Sequence, residues 1–520
     1  MRTVFVMFDS LNRLALETYG GSSIKTPNFT RFAERAVTFE SHYAGSLPCM
    51  PARRDMHTGR LNFLHRSWGP LEPFDNSFSR TLSENGVYTH LISDHLHYFE
   101  DGGTCYANAF DSWDFIRGQE YDPIKPLVIP PIERYREMFD ERHYPLGDVE
   151  PGKAMTRHSS PRKTWKKSRG AIINDFLQAE EDFPTAKCFS SAFEFLELNR
   201  EADNWFLQLE CFDPHEPFNV PERFKAAYAS GYNGKILNWP GYEKVAETPE
   251  EIAEIRGNYA ALVAMCDDYF GKLLDYFDEY DLWKDTALVL STDHGFLLSE
   301  HEWWGKNRMP YYEEISHIPL MVWHPDHADQ AGKRQQQLTQ TPDLMPTFLD
   351  FHDCSIPACV TGTSIKPLLS GNEPIHQSII LGMFGGPICA VDDRYSYFRY
   401  PENIDASGLY LYTLMPAHLS GPFNIEELKG AELVGPFDFT KGSPLLKVPM
   451  NPKNSQFGGD GQTLAECATV LYDLKLDPGQ TKPVVNPEVE RRMLDEIIGH
   501  MQELDAPREM YAHYSLPTPP

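Results

Sequence analysis

The 520-residue chain sets 47 lysines and arginines against 75 aspartates and glutamates, a formal net charge of −28. That field argues against nucleic acid as a partner and disfavours long polysulfated chains unless the mouth of a site is locally basic. Hydrophobic residues make up 41% and aromatics 13%, fitting a packed globular protein larger than one small domain, and no run of about eighteen apolar residues exists to span a membrane.

In chain order, Met1-Arg2 leads straight into TVFVMFD, an apolar β-rich run that ends at Asp9. This leaves no room for a signal peptide, so the chain reads as cytoplasmic. Thr26-Pro27-Asn28 opens a first helix, and residues 49–59 read CMPARRDMHTG. VYTHLISDHLHY supplies a strand followed by His95 and His97. Segment 100–185 is irregular and rich in Trp, Tyr, Pro and Arg. A stretch of that length inside a domain is functional or an insertion, and following His95 and His97 directly it is expected over the active-site mouth. Within it Arg157, Arg162, Lys163, Lys166 and Lys167 form a basic run, for which a solvated loop is the simpler reading.

FLQLECFDPHEPF is a strand-like run followed by His215. Thr248-Pro249-Glu250-Glu251 offers a cap, a first-turn proline and a capping-box acid. Ile252, Ile255, Tyr259, Leu262, Cys266, Phe270, Leu273 and Phe277 then recur at helical spacing, which predicts a long helix over 248–279. TALVLSTDH is a second apolar run ending in acid, here Asp293-His294, and Lys306 stands twelve residues beyond His294 in WWGK. After about residue 375 the texture changes to short strands and a final helix near 486–503, with SLPTPP as an extended tail expected to reach a neighbouring subunit. The expected units are 1–375 and 376–520. Nine scattered cysteines without CxxC spacing point to reduced thiols.

Strands alternating with amphipathic helices predict an α/β fold around a large, mostly parallel sheet covered on both faces. In such a sheet ligands cluster at the carboxyl ends of strands. Asp9, Asp293, His294 and residue 49 are therefore candidates to close round one divalent ion. Each of these residues alone has an ordinary structural role, such as a cap, a core thiol or a surface charge. Their joint order along the chain is what points to a site.

Residues 49–59 resemble the sulfatase signature C-x-P-S-R-x-x-x-L-T-G, with Ala52 in place of Ser and His57 in place of Leu. DPHEPF, WGK, TPN and LYDLKLDP also resemble sulfatase segments, in the family's order. His95 falls at the lysine, and His97 at the histidine, of the family's Y-x-T-x-x-x-G-K-W-H. The resemblance implies the alkaline phosphatase-like fold with a smaller carboxyl-terminal antiparallel sheet and helix. It implies hydrolysis of a small sulfate ester by formylglycine, made from Cys49 before folding by a formylglycine-generating enzyme, through a covalent sulfo-enzyme intermediate. By the same resemblance Arg53 fixes the hydrated aldehyde, His97 takes the proton of its second hydroxyl, and His95, His215 and Lys306 bind substrate. One of His215 and Lys306 protonates the leaving alcohol. His95, standing for a lysine, is expected to titrate near neutrality.

Where sulfatases commonly have Asp-Asp and Asp-Asn, this chain has Asp9-Ser10 and Asp293-His294. That departure resembles the phosphonate monoester hydrolase and choline sulfatase branch of the superfamily. Exchange of a carboxylate for an imidazole leaves the metal open between Ca²⁺ and Mn²⁺. The rival activity is a phosphonate monoester or phosphodiester hydrolase with the same nucleophile. A reading of another class is a non-catalytic anion-binding protein with unmodified Cys49. Homo-oligomerisation is a family-level expectation, and the alcohol part of the substrate stays open.

Overall fold

The computed structural model describes residues 1–307, 310–402, 404, 408–450 and 468–518. Its centre is an eight-stranded sheet of β1 (Arg2–Phe8), β2 (Val37–Phe39), β3 (Tyr88–Ser93), β4 (Ser112–Phe115), β5 (Trp205–Cys211), β6 (Thr286–Ser291), β7 (Leu320–Trp323) and β8 (Arg334–Gln335). The spatial order is β8-β2-β7-β6-β1-β5-β3-β4, and β7 alone runs antiparallel to its neighbours. β1 sits between two parallel partners and is buried on both faces, hence its unbroken apolar run. Alternation decides which face each side chain serves. Val4, Val6 and Phe8 join one core, and Phe5 and Met7 the other.

The first core is closed by two helices, α2 (Pro184–Leu198) and α3 (Pro249–Glu279), through Phe189, Phe195, Phe270 and Phe277. α3 begins as the sequence predicts. The Glu251 amide donates to Thr248 Oγ1 at 3.4 Å, and the Thr248 amide donates to Glu251 Oε2 at 2.9 Å. Of its eight periodic apolar positions, Ile252 alone is only partly buried. The opposite core is closed by α4 (Leu344–Phe351) and the helix Phe78–Glu84, through Phe348 and Phe78.

The carboxyl-terminal sheet is β9 (Ile379–Gly382), β10 (Ile388–Val391), β11 (Tyr395–Arg399) and β12 (Val470–Asp473), antiparallel throughout. Ile380, Ala390 and Tyr397 pack on α5 (Pro487–Glu503) through Met493, Ile497 and Met501. Leu381, Cys389 and Phe398 face Tyr43, Leu47 and Ile315 of the amino-terminal part. The run LYLYTLMP forms a strand, Tyr410–Thr413, but it pairs in a separate three-stranded sheet with Leu445–Pro449. Of the tail, Leu516 is held against the body, Ser515, Pro517 and Thr518 are exposed, and Pro519 and Pro520 lie outside the described residues. Tyr514 and Leu516 are buried in the α5 core, with the Tyr514 hydroxyl donating to the Gly386 carbonyl at 2.9 Å.

Segment 100–185 is more ordered than its composition suggests. It adds edge strand β4 to the sheet and carries the helices Ile132–Met138 and Arg162–Phe176. Its core of Tyr135, Phe139, Tyr144, Ile172 and Trp239 accounts for the aromatic richness. The eight described cysteines are free thiols, and Cys467 lies outside the described residues. No helix among the described residues is long and apolar enough to cross a membrane.

Candidate active site

The parallel strands bring their carboxyl ends to one edge of the sheet. Met7 pairs with Glu210 and Ser291, so Asp9 and Asp293, each two residues further on, arrive side by side. Residue 49 enters from elsewhere, as the first residue of α1 (Cys49–Thr58), whose ten residues are all buried. Cys49 itself has a positive φ of 36°. Gly59 closes this helix at φ +64°, where a Cβ would come 2.7 Å from Val360 Cγ1, so the glycine of the signature is required twice over. The departure at His57 is a core substitution. Its Nδ1 lies 2.9 Å from Ser77 Oγ, its ring packs on Phe78 and Tyr106, and burial pulls its pKa down to about 3.

Asp9, Cys49, Asp293 and His294 each present one donor atom, all within 4.8 Å of one another and all buried. His294 Nδ1 lies 2.9 Å from the Gly295 carbonyl and donates to it. This leaves the Nε2 lone pair facing Cys49 Sγ at 3.1 Å. Two carboxylates and an imidazole nitrogen around one point suit a divalent cation. On their outer side the carboxylates share Arg53, which donates from Nη2 to Asp9 Oδ2 at 2.8 Å and from Nη1 to Asp293 Oδ2 at 2.5 Å. Arg53 Nε donates to Glu210 Oε1 at 2.8 Å, and Glu210 also accepts from the Tyr98 hydroxyl at 2.9 Å.

Burial pushes the Asp9 carboxyl up, but the charges of Arg53, His215 and Lys306 outweigh it and hold Asp9 well below the usual range. For Glu210 burial wins over Arg53, and its pKa rises. Burial also pushes the Cys49 thiol well above its usual value, so an unmodified cysteine here is a protonated, weakly nucleophilic thiol. Lys306 Nζ stands 3.5 Å from Ser10 Oγ and 4.0 Å from Asp9 Oδ1, and these acidic surroundings outweigh burial to keep it charged.

Above this floor opens a cavity of about 870 Å³ lined by Cys49, His97, His215 and Lys306 among others. His215 donates from Nδ1 to the Glu216 carbonyl at 2.5 Å. His97 Nδ1 lies 2.7 Å from Glu100 Oε2. His95 is placed differently from expectation. It is fully buried beneath the cavity, with Nδ1 accepting from the His97 amide at 3.2 Å and Nε2 lying 3.5 Å from Asp9 Oδ2. Burial first, and then Arg53, hold it well below the ordinary imidazole range, so it does not titrate near neutrality. The basic run is a solvated loop only at Arg157, which lies in an exposed turn. Lys167 is buried, and Arg162, Lys163 and Lys166 line the cavity as part of the helix Arg162–Phe176.

Glu210 and Tyr98 are not singled out by any motif, and Ser10 is marked in the sequence only as a departure from the family's Asp-Asp. A glutamate inside the apolar strand FLQLEC was the available signal, since acids are rarely buried without a partner. Ser10 Oγ donates to Asp9 Oδ1 at 2.7 Å and fixes that carboxylate from the other side.

Residues 2–353 match the family model described as Sulfatase. The chain therefore belongs to the sulfatase family of hydrolases. It is 24% identical over 418 residues to the N-acetylglucosamine-6-O-sulfatase of Bacteroides thetaiotaomicron, covering 70% of each chain. It is 26% identical over 386 residues to the multifunctional alkaline phosphatase superfamily protein PehA of Trinickia caryophylli, covering 68% of this chain and 72% of that one. The phosphonate monoester hydrolase of Agrobacterium radiobacter shares the fold, with a TM-score of 0.62 at 18% identity over 97% of this chain and 96% of that one.

Proposed function

We propose that this protein hydrolyses a small-molecule sulfate monoester, with residue 49 acting as formylglycine and a single Ca²⁺ or Mn²⁺ ion bound by Asp9, Asp293, His294 and residue 49. The observation that carries this reading is the position of Cys49, at the cavity floor and within 4.8 Å of three other buried donors drawn from two strand ends. The cation supplies positive charge against the anionic oxygens of the ester. Hydrated formylglycine supplies one hydroxyl for attack on sulfur and a second whose deprotonation releases sulfate.

The chain's own residues do the rest. Arg53 orients Asp9 and Asp293 through its two guanidinium bonds and helps keep Asp9 ionised. Lys306 and His215 face the cavity from opposite loops and hold the bridging oxygen, one of them returning a proton to the departing alcohol. His97, held at Nδ1 by Glu100, accepts the proton of the second hydroxyl. His95 supports Asp9 from below rather than touching the ester. A cytoplasmic site of action accords with the eight free thiols.

A second reading, phosphonate monoester or phosphodiester hydrolysis with the same nucleophile, is favoured by Ser10 and His294 at positions where sulfatases commonly carry Asp and Asn. The test is coexpression with a formylglycine-generating enzyme, followed by intact mass and initial rates on an aryl sulfate and an aryl phosphonate. Conversion makes the chain about 18 Da lighter, the exchange of CH₂SH for CHO that the mechanism requires. Sulfate turnover should rise in proportion to the converted fraction and exceed phosphonate turnover. Faster phosphonate cleavage would favour the second reading. Unconverted protein that binds sulfate without turnover would make the chain an anion-binding protein.

A further inference from the structure

The wall of the cavity formed by the helix Arg162–Phe176 carries charge that the reaction does not use. This helix begins RKTWKK, with no acid in its first turn and no side-chain cap. Cations at that end oppose the helix dipole, so Arg162 and Lys163 sit where they cost local stability. Both are exposed, and together with Lys166 they line the same cavity as Cys49, His215 and Lys306. Arg162 Nη2 donates to Ser420 Oγ at 3.1 Å, and Lys166 Nζ lies 3.9 Å from the centre of the Tyr121 ring. Among the described residues none of the three cations has a carboxylate within 4.0 Å.

The carboxylates in this cavity have hydrogen-bonding partners other than these three cations, although Glu100 and Glu120 lie near enough to Lys166 to act on its charge. Glu100 lies 2.7 Å from His97 Nδ1, and Glu427 lies 2.9 Å from His418 Nε2. The nearest basic nitrogen to Glu120 is His97 Nε2, at 3.8 Å. Glu100 and Glu120 offset part of the Lys166 charge, so that among the described residues Arg162 and Lys163 are the cavity cations with no carboxylate within 4.0 Å, in a chain whose net charge is −28. A sulfate group seated at Lys306 and His215 fills only a small part of about 870 Å³, a volume that suits a ligand of drug size.

Building on the sulfatase reading, we infer that the substrate is a dianion, whose leaving group carries a second anionic substituent, a carboxylate or another sulfate, bound by Arg162, Lys163 and Lys166. The strongly negative overall charge and this local cluster of cations act together. The protein's field turns away long polyanions, while the cavity selects a small molecule with two separated negative groups.

The test compares wild type with the Arg162→Gln/Lys163→Gln double variant on three esters: 4-nitrophenyl sulfate, 3-carboxyphenyl sulfate and resorcinol disulfate. Comparing each variant with wild type on the same ester removes differences in leaving-group reactivity. The double variant should raise KM about tenfold for both dianions, as loss of charge-assisted contacts does, with a loss at least threefold smaller for 4-nitrophenyl sulfate. A drop for one dianion alone identifies which second anion the wall takes. Lys163→Glu, an exposed charge reversal that leaves the buried face of the helix untouched, should reproduce the selective loss. Equal losses on all three esters, or none, would overturn the inference while leaving the sulfatase reading intact. Failure of aldehyde-verified enzyme to cleave any of the three would overturn both.

Discussion

Cys49 Sγ and His294 Nε2 stand 3.1 Å apart although 245 positions separate them in the chain. The pair exists because β6 and α1 deliver their termini to one point, and because the Gly295 carbonyl turns the imidazole. Under the proposed function this pair would be a nucleophile and a metal-ligating nitrogen held in place before any substrate arrives, a preorganised arrangement that costs nothing at the moment of reaction.

If residue 294 is a ligand as proposed, its imidazole should make the site discriminate between metals. Chelation with EDTA should abolish turnover and lower the melting temperature, and added Ca²⁺ or Mn²⁺ should restore both. His294→Ala should weaken Mn²⁺ binding about tenfold or more, and weaken Ca²⁺ binding less, because nitrogen donors favour manganese. Calorimetric titration of wild type and His294→Ala with each ion measures this. An equal loss for both ions would remove His294 from the ligand set.

Arg53 is buried with three carboxylates, those of Asp9, Asp293 and Glu210. Arg53→Met removes the one cation shared by all three, leaving Lys306 at 4.0 Å from Asp9, and should cost about 3–5 kcal/mol in metal-free protein. A bound cation shares that neutralising task, so the loss should shrink when metal is saturating. Urea unfolding with and without metal gives both values, and equal losses would show that the ion does not sit among these acids.

Away from the site, His376 Nε2 lies 2.9 Å from both oxygens of Asp343. Burial opposes protonation, but the charge and hydrogen bonds of Asp343 prevail and raise the imidazole pKa. The folded state therefore holds this proton more tightly than the unfolded chain. Its stabilisation is complete below the unfolded value of about 6.5 and is lost as pH rises through the higher folded value. Urea midpoints from about pH 6 to about pH 9 should fall less steeply for His376→Gln than for wild type. Parallel curves would exclude the pair as a source of pH dependence.

The parts of the site legible in the sequence were those that obey a local rule. Asp9 and Asp293 end apolar runs, and parallel strands put such ends together whatever lies between them. The long helix was legible because Thr248 and Glu251 form their box within four residues. What escaped depends on distant contacts. His95 follows a strand as a cavity residue would, yet the backbone turns its ring under Asp9, where no spacing rule reaches. The basic run looked solvated because charge was read without its helix, whose apolar side, Ile172 and Ala171, packs inward and turns Arg162, Lys163 and Lys166 towards the cavity.

The two sides of the cavity come from separate stretches of chain. The residues assigned to bond cleavage lie between 9 and 306, whereas Leu411, His418, Leu419, Asn424, Glu427 and Met450 build much of the facing side. The family match stops at residue 353, before any of these. The part of the fit that these residues provide can therefore drift through descent independently of reactivity, while Arg162, Lys163 and Lys166 stay within the matched stretch. Grafting the final hundred-odd positions from a relative should retarget the scissors without blunting them.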